Sequence, residues 1–252
     1  MAYIRPRSRV GQLAAGMLAL GLYAGGCAAA SENDEPSEAM KSFLEAPSQS
    51  GAHGQQSDPH ANLGPQKMAQ VALQHLDESR EQMAFETLNA AIVKYPGDAM
   101  LLSIRASLFL QKQRTSLALA DLNQAVELNP HDPILLTNRA QALRQFGRNE
   151  DALRDLDNAL ELDPRFVAAY FNRGSVNFEA EKYALALVDF NRCIELEPAV
   201  PAAYFNRAST YEAMGERQRA IDDLKHFLTL QPEESWAQIA RDMLRQWDPD
   251  LS

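Results

Sequence analysis

The residues best spaced for chemistry in this chain are charged pairs and a row of amides. Arg105, Arg139, Arg173 and Arg207 recur every 34 residues, and each is followed 16 residues later by an aspartate: Asp121, Asp155, Asp189 and Asp223. Guanidinium and carboxylate can join through two parallel hydrogen bonds. The series therefore reads as repeated ion pairs between neighbouring segments, specifying geometry more than adding stability. An anion-binding ladder is disfavoured, because every arginine already has a partner. Asn138, Asn172 and Asn206 form a second series with the same spacing. Side-chain amides carry donors and acceptors, so such a row can read a peptide backbone without demanding a sequence.

Reaction chemistry has no comparable home. His53 and His60 are isolated in a polar stretch, and His75, His131 and His226 are scattered. No phosphate-cradling glycine loop, cysteine pair, metal-spaced histidine cluster or nucleophile elbow occurs. The net charge of −10 argues against a general phosphate-binding surface. The expectation is a chain with no enzymatic activity, no cofactor, no metal, no nucleic-acid partner and no small-molecule substrate. Cys193 lies in a helical pattern at a slot that three other repeats fill with alanine, so it reads as a packing residue.

The elements that must position these residues begin after a leader. Residues 1–30 open with Arg5, Arg7 and Arg9, continue uncharged from Val10 through an apolar centre, and close on small residues around Cys27. That order predicts a secretory signal peptide. Cys27 resembles the lipidated cysteine of bacterial lipoproteins, although Ala24 stands where that family usually has leucine. Cleavage after Ala28-Ala29-Ala30, giving a soluble product, is the alternative, and an uncleaved anchor is a third. Residues 31–64, rich in Pro, Gly, Ser and Gln and carrying acids, read as a disordered acidic linker.

From there the chain is periodic. Pro96, Pro130, Pro164, Pro198 and Pro232 fall 34 residues apart. With that proline as position 32, position 8 is Ala72, Ala106, Ala140, Gly174 and Ala208. Position 20 is alanine in every unit, and position 24 is Leu88, Leu122, Leu156, Phe190 and Leu224. Small residues at 8 and 20 let two antiparallel helices approach, and the larger residue at 24 fills the space a turn on. Helix A is predicted at positions 1–14 and helix B at 17–30. Gly147 and Gly215 fall at the turn between them, where a left-handed residue is easily placed.

Period and pattern together resemble the tetratricopeptide repeat; the unit with Tyr170, Asn172, Gly174, Tyr183, Ala186, Phe190 and Pro198 is nearest the family form. The resemblance implies an all-α, right-handed α-solenoid of five repeats, 65–98, 99–132, 133–166, 167–200 and 201–234. A capping helix at 235–247 and a tail at 248–252 follow. It further implies a concave face built from A helices that binds a peptide or protein partner. The candidate partner-binding residues are Asn138, Asn172 and Asn206, with Thr137, Phe171 and Phe205 as an apolar strip and Gln141, Arg144, Ser175 and Ser209 around them. Phe178 also falls in this set. A carboxylate-clamping version of the family is not expected, since position 2 offers no lysine.

The function expected is an exported, lipid-anchored adaptor that scaffolds a complex in the bacterial envelope, facing the periplasm or the outer surface. A self-associating structural protein, its groove filled by its own linker or another copy, is the alternative; a regulatory subunit of a wall-acting enzyme is a third reading.

Overall fold

The computed structural model describes residues 63–248. The signal peptide at 1–30, lipidation at Cys27, nearly all of the 31–64 linker and most of the tail lie outside the described residues. Every regular element among those residues is an α-helix. In chain order they are α1 (Pro65–Asp77), α2 (Glu81–Lys94), α3 (Ala99–Gln111), α4 (Thr115–Leu128), α5 (Pro133–Gln145) and α6 (Asn149–Leu162). These are followed by α7 (Val167–Glu179), α8 (Tyr183–Leu196), α9 (Pro201–Ala213), α10 (Arg217–Thr229) and α11 (Glu234–Trp247). Two compact units divide them, one ending at Leu128 and the other beginning at Asn129. The first holds the hairpins α1–α2 and α3–α4; the second holds α5–α6, α7–α8, α9–α10 and the terminal α11.

The 34-residue rhythm has local causes. Pro65, Pro133 and Pro201 occupy the first turn of an A helix, where a missing N–H costs nothing. Asp98 caps α3 by accepting from the Leu101 N–H at 3.1 Å, and Asp132 caps α5 by accepting from Ile134 and Leu135. Each A helix ends at position 13, one residue earlier than the sequence pattern predicts, because the chain turns left-handed at position 15. Ser79, Gln113, Gly147, Glu181 and Gly215 all have φ between 58° and 81°. The N–H of position 16 then reaches back to the carbonyl of position 11, as from Arg148 to Leu143 at 2.8 Å, a closure that absorbs orphan carbonyls of the helix end. Glycine suits the turn but is not required by it.

Within each hairpin the small and large positions mesh. Ala84, Ala118, Ala152, Ala186 and Ala220 are fully buried, as are the position-24 residues Leu88, Leu122, Leu156, Phe190 and Leu224. Burying one such leucine contributes about 1.5–3 kcal/mol. In the first unit Met68, Leu88, Leu101 and Leu108 share one core, with Leu63 packed against it. In the second, Phe171, Phe190 and Cys193 form one cluster, and Phe205, Leu224, Phe227, Met243 and Leu244 another. Trp236 and Ile239 of α11 pack on the latter cluster. The terminal helix thus covers the apolar end of its neighbour, starting at Glu234 rather than 235.

Candidate functional site

Arginine and aspartate lie on adjacent helices of one hairpin at the same height, so the 16-residue spacing becomes a bidentate pair. Arg139 places Nε and Nη2 each 2.7 Å from the Asp155 carboxylate. Arg105 with Asp121 and Arg207 with Asp223 have distances of 2.7–2.8 Å. Arg173 reaches Asp189 at 2.7 Å through Nη2, with Nε at 3.2 Å. The remaining guanidinium nitrogen does something the pattern of pairs did not announce. Arg105 Nη1 donates to Asn89 at 2.8 Å, Arg173 Nη1 to Asp157 at 2.7 Å, and Arg207 Nη1 to Asn191 at 2.7 Å. Each acceptor lies 16 residues earlier, on the preceding hairpin. One arginine therefore ties its own two helices together and staples them to the hairpin before. The hydrogen bond from Arg207 to Asp223 raises the guanidinium pKa, against the opposing pull of burial. Arg105, Arg173 and Arg207 thus engage all three guanidinium nitrogens within the array.

All ten residues expected to bind a partner lie in the second unit, on α5, α7 and α9, and the structure sorts them into three groups. The apolar strip is the first correction. Phe171 is 3% exposed with its ring 6.0 Å from that of Phe190, and Phe205 is fully buried between Phe227 at 5.4 Å and Trp236 at 5.9 Å. Both rings are core, because an aromatic at position 5 is large enough to reach the adjacent B or terminal helix. Phe178 is half-buried, its ring tilted by 58° to that of Tyr183 at 5.6 Å.

Arg144 is the second correction. It is buried and forms an ion pair at 2.6 Å with Glu179, 35 residues on, strapping α5 to α7. Ser175 and Ser209 are buried too, each donating its hydroxyl to the carbonyl four residues back, Phe171 and Phe205. They serve as small, self-satisfied spacers. Thr137 is buried as well, while Gln141 and Asn138 are half-buried.

The asparagines are the third group. Asn172, 6% exposed, donates from Nδ2 to the Ala168 carbonyl at 2.8 Å, leaving Oδ1 without a hydrogen bond. Asn206, 1% exposed, has neither Nδ2 nor Oδ1 hydrogen-bonded. A buried polar group left unpaired costs roughly 1–3 kcal/mol, and native proteins hold few of them. Both sit at position 6 of consecutive A helices, so three buried atoms lack a hydrogen bond at equivalent places on α7 and α9.

Sequence reasoning missed the staple to the preceding hairpin and the α5–α7 strap. A signal for the staple was present: Asn89, Asp157 and Asn191 recur at position 25, 16 residues before the arginines. Among the described residues no group of three or more His, Cys, Asp or Glu is placed to hold a metal ion. No described helix is long and apolar enough to cross a membrane. Burial pushes the Cys193 thiol up to about 12, with Glu197 adding to the effect.

Comparison with known proteins follows the same geometry. Models described as tetratricopeptide repeat match residues 70–133, 137–192 and 201–234, more than half of the chain. No curated protein matches. Among solved structures, PilW, a widely conserved type IV pilus biogenesis factor, is 18% identical, with a TM-score of 0.66 over 76% of this chain and 93% of its own. TTC0263, a thermophilic tetratricopeptide protein of Thermus thermophilus, is 20% identical, with a TM-score of 0.64 over 72% and 99%. YrrB, a tetratricopeptide protein with an unusual peptide-binding site, is 19% identical, with a TM-score of 0.52 over 69% and 90%. At these identities the likeness is one of fold. Matched repeats, hairpins of constant length and a recurring small-small-large core lead to one conclusion: the chain belongs to the tetratricopeptide repeat family.

Proposed function

We propose that this protein is an adaptor that holds a peptide or protein partner along the position-6 face of its second unit. The observation that carries this reading is the unmet hydrogen-bonding capacity of Asn172 and Asn206. An extended guest chain presents alternating N–H and C=O groups, which the two amides satisfy by rotating out of the cover they have in the free protein. The fold shared with YrrB, whose description includes a peptide-binding site, supports it. Phe205 and Arg144 take no part, being used within the array.

The adaptor is exported and held in the bacterial envelope by lipid on Cys27, with residues 28–62 as its tether, and it scaffolds a complex there. The leader's charge, apolar centre and small-residue end support export. The fold shared with PilW, a pilus biogenesis factor, is compatible with an envelope role. The test of binding is retention of the full chain on an immobilised array of extended peptides. Asn172→Ala with Asn206→Ala lowers retention about tenfold or more; undiminished retention removes the amides from the mechanism. The test of anchoring is Cys27→Ser followed by membrane fractionation and mass measurement. Loss of membrane association and of the lipid mass is expected, and an unchanged, membrane-bound product refutes it.

A further inference from the structure

The B helices α6, α8 and α10 of the second unit stand at equivalent places in successive repeats, with α7 packed between the first two and α9 between the last two. Positions 19 and 22 of these helices lie one turn apart on the same helix face. On α8 they are Leu185 and Val188, 54% and 62% exposed. On α6 they are Asp151 and Arg154, which form an ion pair, and on α10 they are Arg219 and Asp222. Beside Leu185 and Val188 a cavity of about 270 Å³ opens between α8 and α6, with Leu153 also in its wall. One surface thus carries projecting apolar side chains, a space to receive such chains, and charges on both flanks. An apolar centre inside a charged rim is the anatomy of a protein interface.

The order of the charges selects the occupant. Along the chain α6 presents acid and then base, whereas α10 presents base and then acid. A two-fold axis running along α8 lays α6 of one copy over α10 of the other, so Asp151 meets Arg219 and Arg154 meets Asp222. An axis running across α8 lays each helix over its own counterpart in the opposite direction, so Asp151 meets Arg154 and Arg219 meets Asp222. Either rotation sets unlike charges opposite each other and apolar residues over apolar residues. That is the self-complementarity a two-fold contact requires.

We propose that this face of α6, α8 and α10 docks a second copy of the chain, giving a two-fold dimer centred on Leu185 and Val188. The exposed charges of the rim turn from their own helices to the other copy. The candidate peptide-binding residues of the A helices lie outside the contact, so the peptide-binding reading neither supports it nor falls with it.

The experiment measures the mass of the full chain in non-ionic detergent by sedimentation equilibrium at matched solvent density. The wild-type chain is a dimer at micromolar to millimolar concentration. Leu185→Ser with Val188→Asp weakens association at least about a hundredfold, since each change acts twice across a two-fold axis. Asp151→Lys with Asp222→Lys, which leaves only bases at the four rim positions, weakens it about tenfold or more, and high salt weakens the wild type in the same direction. Far-UV circular dichroism and thermal melting establish that each variant is folded. Should one fail to fold, cysteines decide: in a Cys27→Ser chain, Leu185→Cys and Val188→Cys, oxidised singly or as a mixture, give a disulfide-linked dimer. Glu86→Cys, at position 22 of the first repeat, gives none. A monomeric wild type, a dimer that persists in the folded Leu185→Ser with Val188→Asp variant, or one indifferent to both the lysines and salt overturns the proposal. So does the lack of a linked dimer from every cysteine combination.

Discussion

Gly174 is the one position-8 residue in the array without a side chain, and replacing it with alanine tests the packing rule directly. A Cβ at Gly174 would stand 2.8 Å from Cε1 of Phe190 and 3.1 Å from Cδ1 and Cζ. Carbon atoms settle at about 3.5–4.0 Å, and the Phe190 ring is fully buried. Overpacking of this kind costs about 1–3 kcal/mol, while alanine regains about 1 kcal/mol of helix propensity over glycine. Gly174→Ala alone should therefore destabilise by up to about 2 kcal/mol. Phe190→Leu alone leaves a void beside the glycine and loses roughly 1–2 kcal/mol. Together they recreate the Ala–Leu pairing of the other four hairpins, Ala72 with Leu88, Ala106 with Leu122, Ala140 with Leu156 and Ala208 with Leu224. The double variant should lie within about 0.5 kcal/mol of wild type, a coupling of about 2 kcal/mol. Urea unfolding followed by far-UV circular dichroism measures all four proteins, with stability read only where slopes match. If the two losses simply add, the glycine is not there to make room for the ring.

Asp223→Ala deprives Arg207 of its bidentate partner and should cost about 3 kcal/mol in the same unfolding assay, as breaking a largely buried ion pair does. Arg207→Val with Asp223→Thr copies Val71 and Thr87 of the first repeat, which has no such pair, and should cost at least about 1 kcal/mol less than Asp223→Ala. A double variant no better than the single one would refute the coupling. Cys193 yields a pH dependence. Its folded-state pKa of about 12 lies above the roughly 8.5 of an unfolded thiol. The unfolded state therefore loses the proton first, and the stability fully present below about pH 8.5 declines as pH rises towards 12. At about pH 10 the loss is about 2 kcal/mol. Comparing wild type with Cys193→Ala, the residue used at Ala91, Ala125 and Ala159, isolates the effect, and parallel pH profiles would refute it.

The array was legible because its signals are local and repeated. Proline at position 32, small residues at 8 and 20 and the Arg–Asp spacing each follow from helix geometry alone, and five copies average out the exceptions. The turn was legible only in part. Gly147 and Gly215 mark the left-handed residue, but Ser79, Gln113 and Glu181 adopt the same φ without any sequence sign. The candidate face was read less well. Phe171, Phe205, Ser175 and Arg144 were assigned to it by position, yet position does not say how far a side chain reaches or what stands opposite. Phe205 is covered by Trp236, a residue outside the repeat period. Arg144 is claimed by Glu179, which has no counterpart in the neighbouring repeats.

By itself, then, the order of amino acids determined the helices, their lengths to within a residue, the hairpin pairing and the internal ion pairs, all contacts between residues at a constant separation. Tertiary structure alone decided which of the inward-facing polar groups were consumed and which were left over. That outcome depends on contacts between hairpins, where a guanidinium has a third donor to place and a ring takes whatever space its neighbour leaves. Only there do Asn172 and Asn206, like Asn149 on α6, prove to hold atoms without a partner that burial has already removed from water.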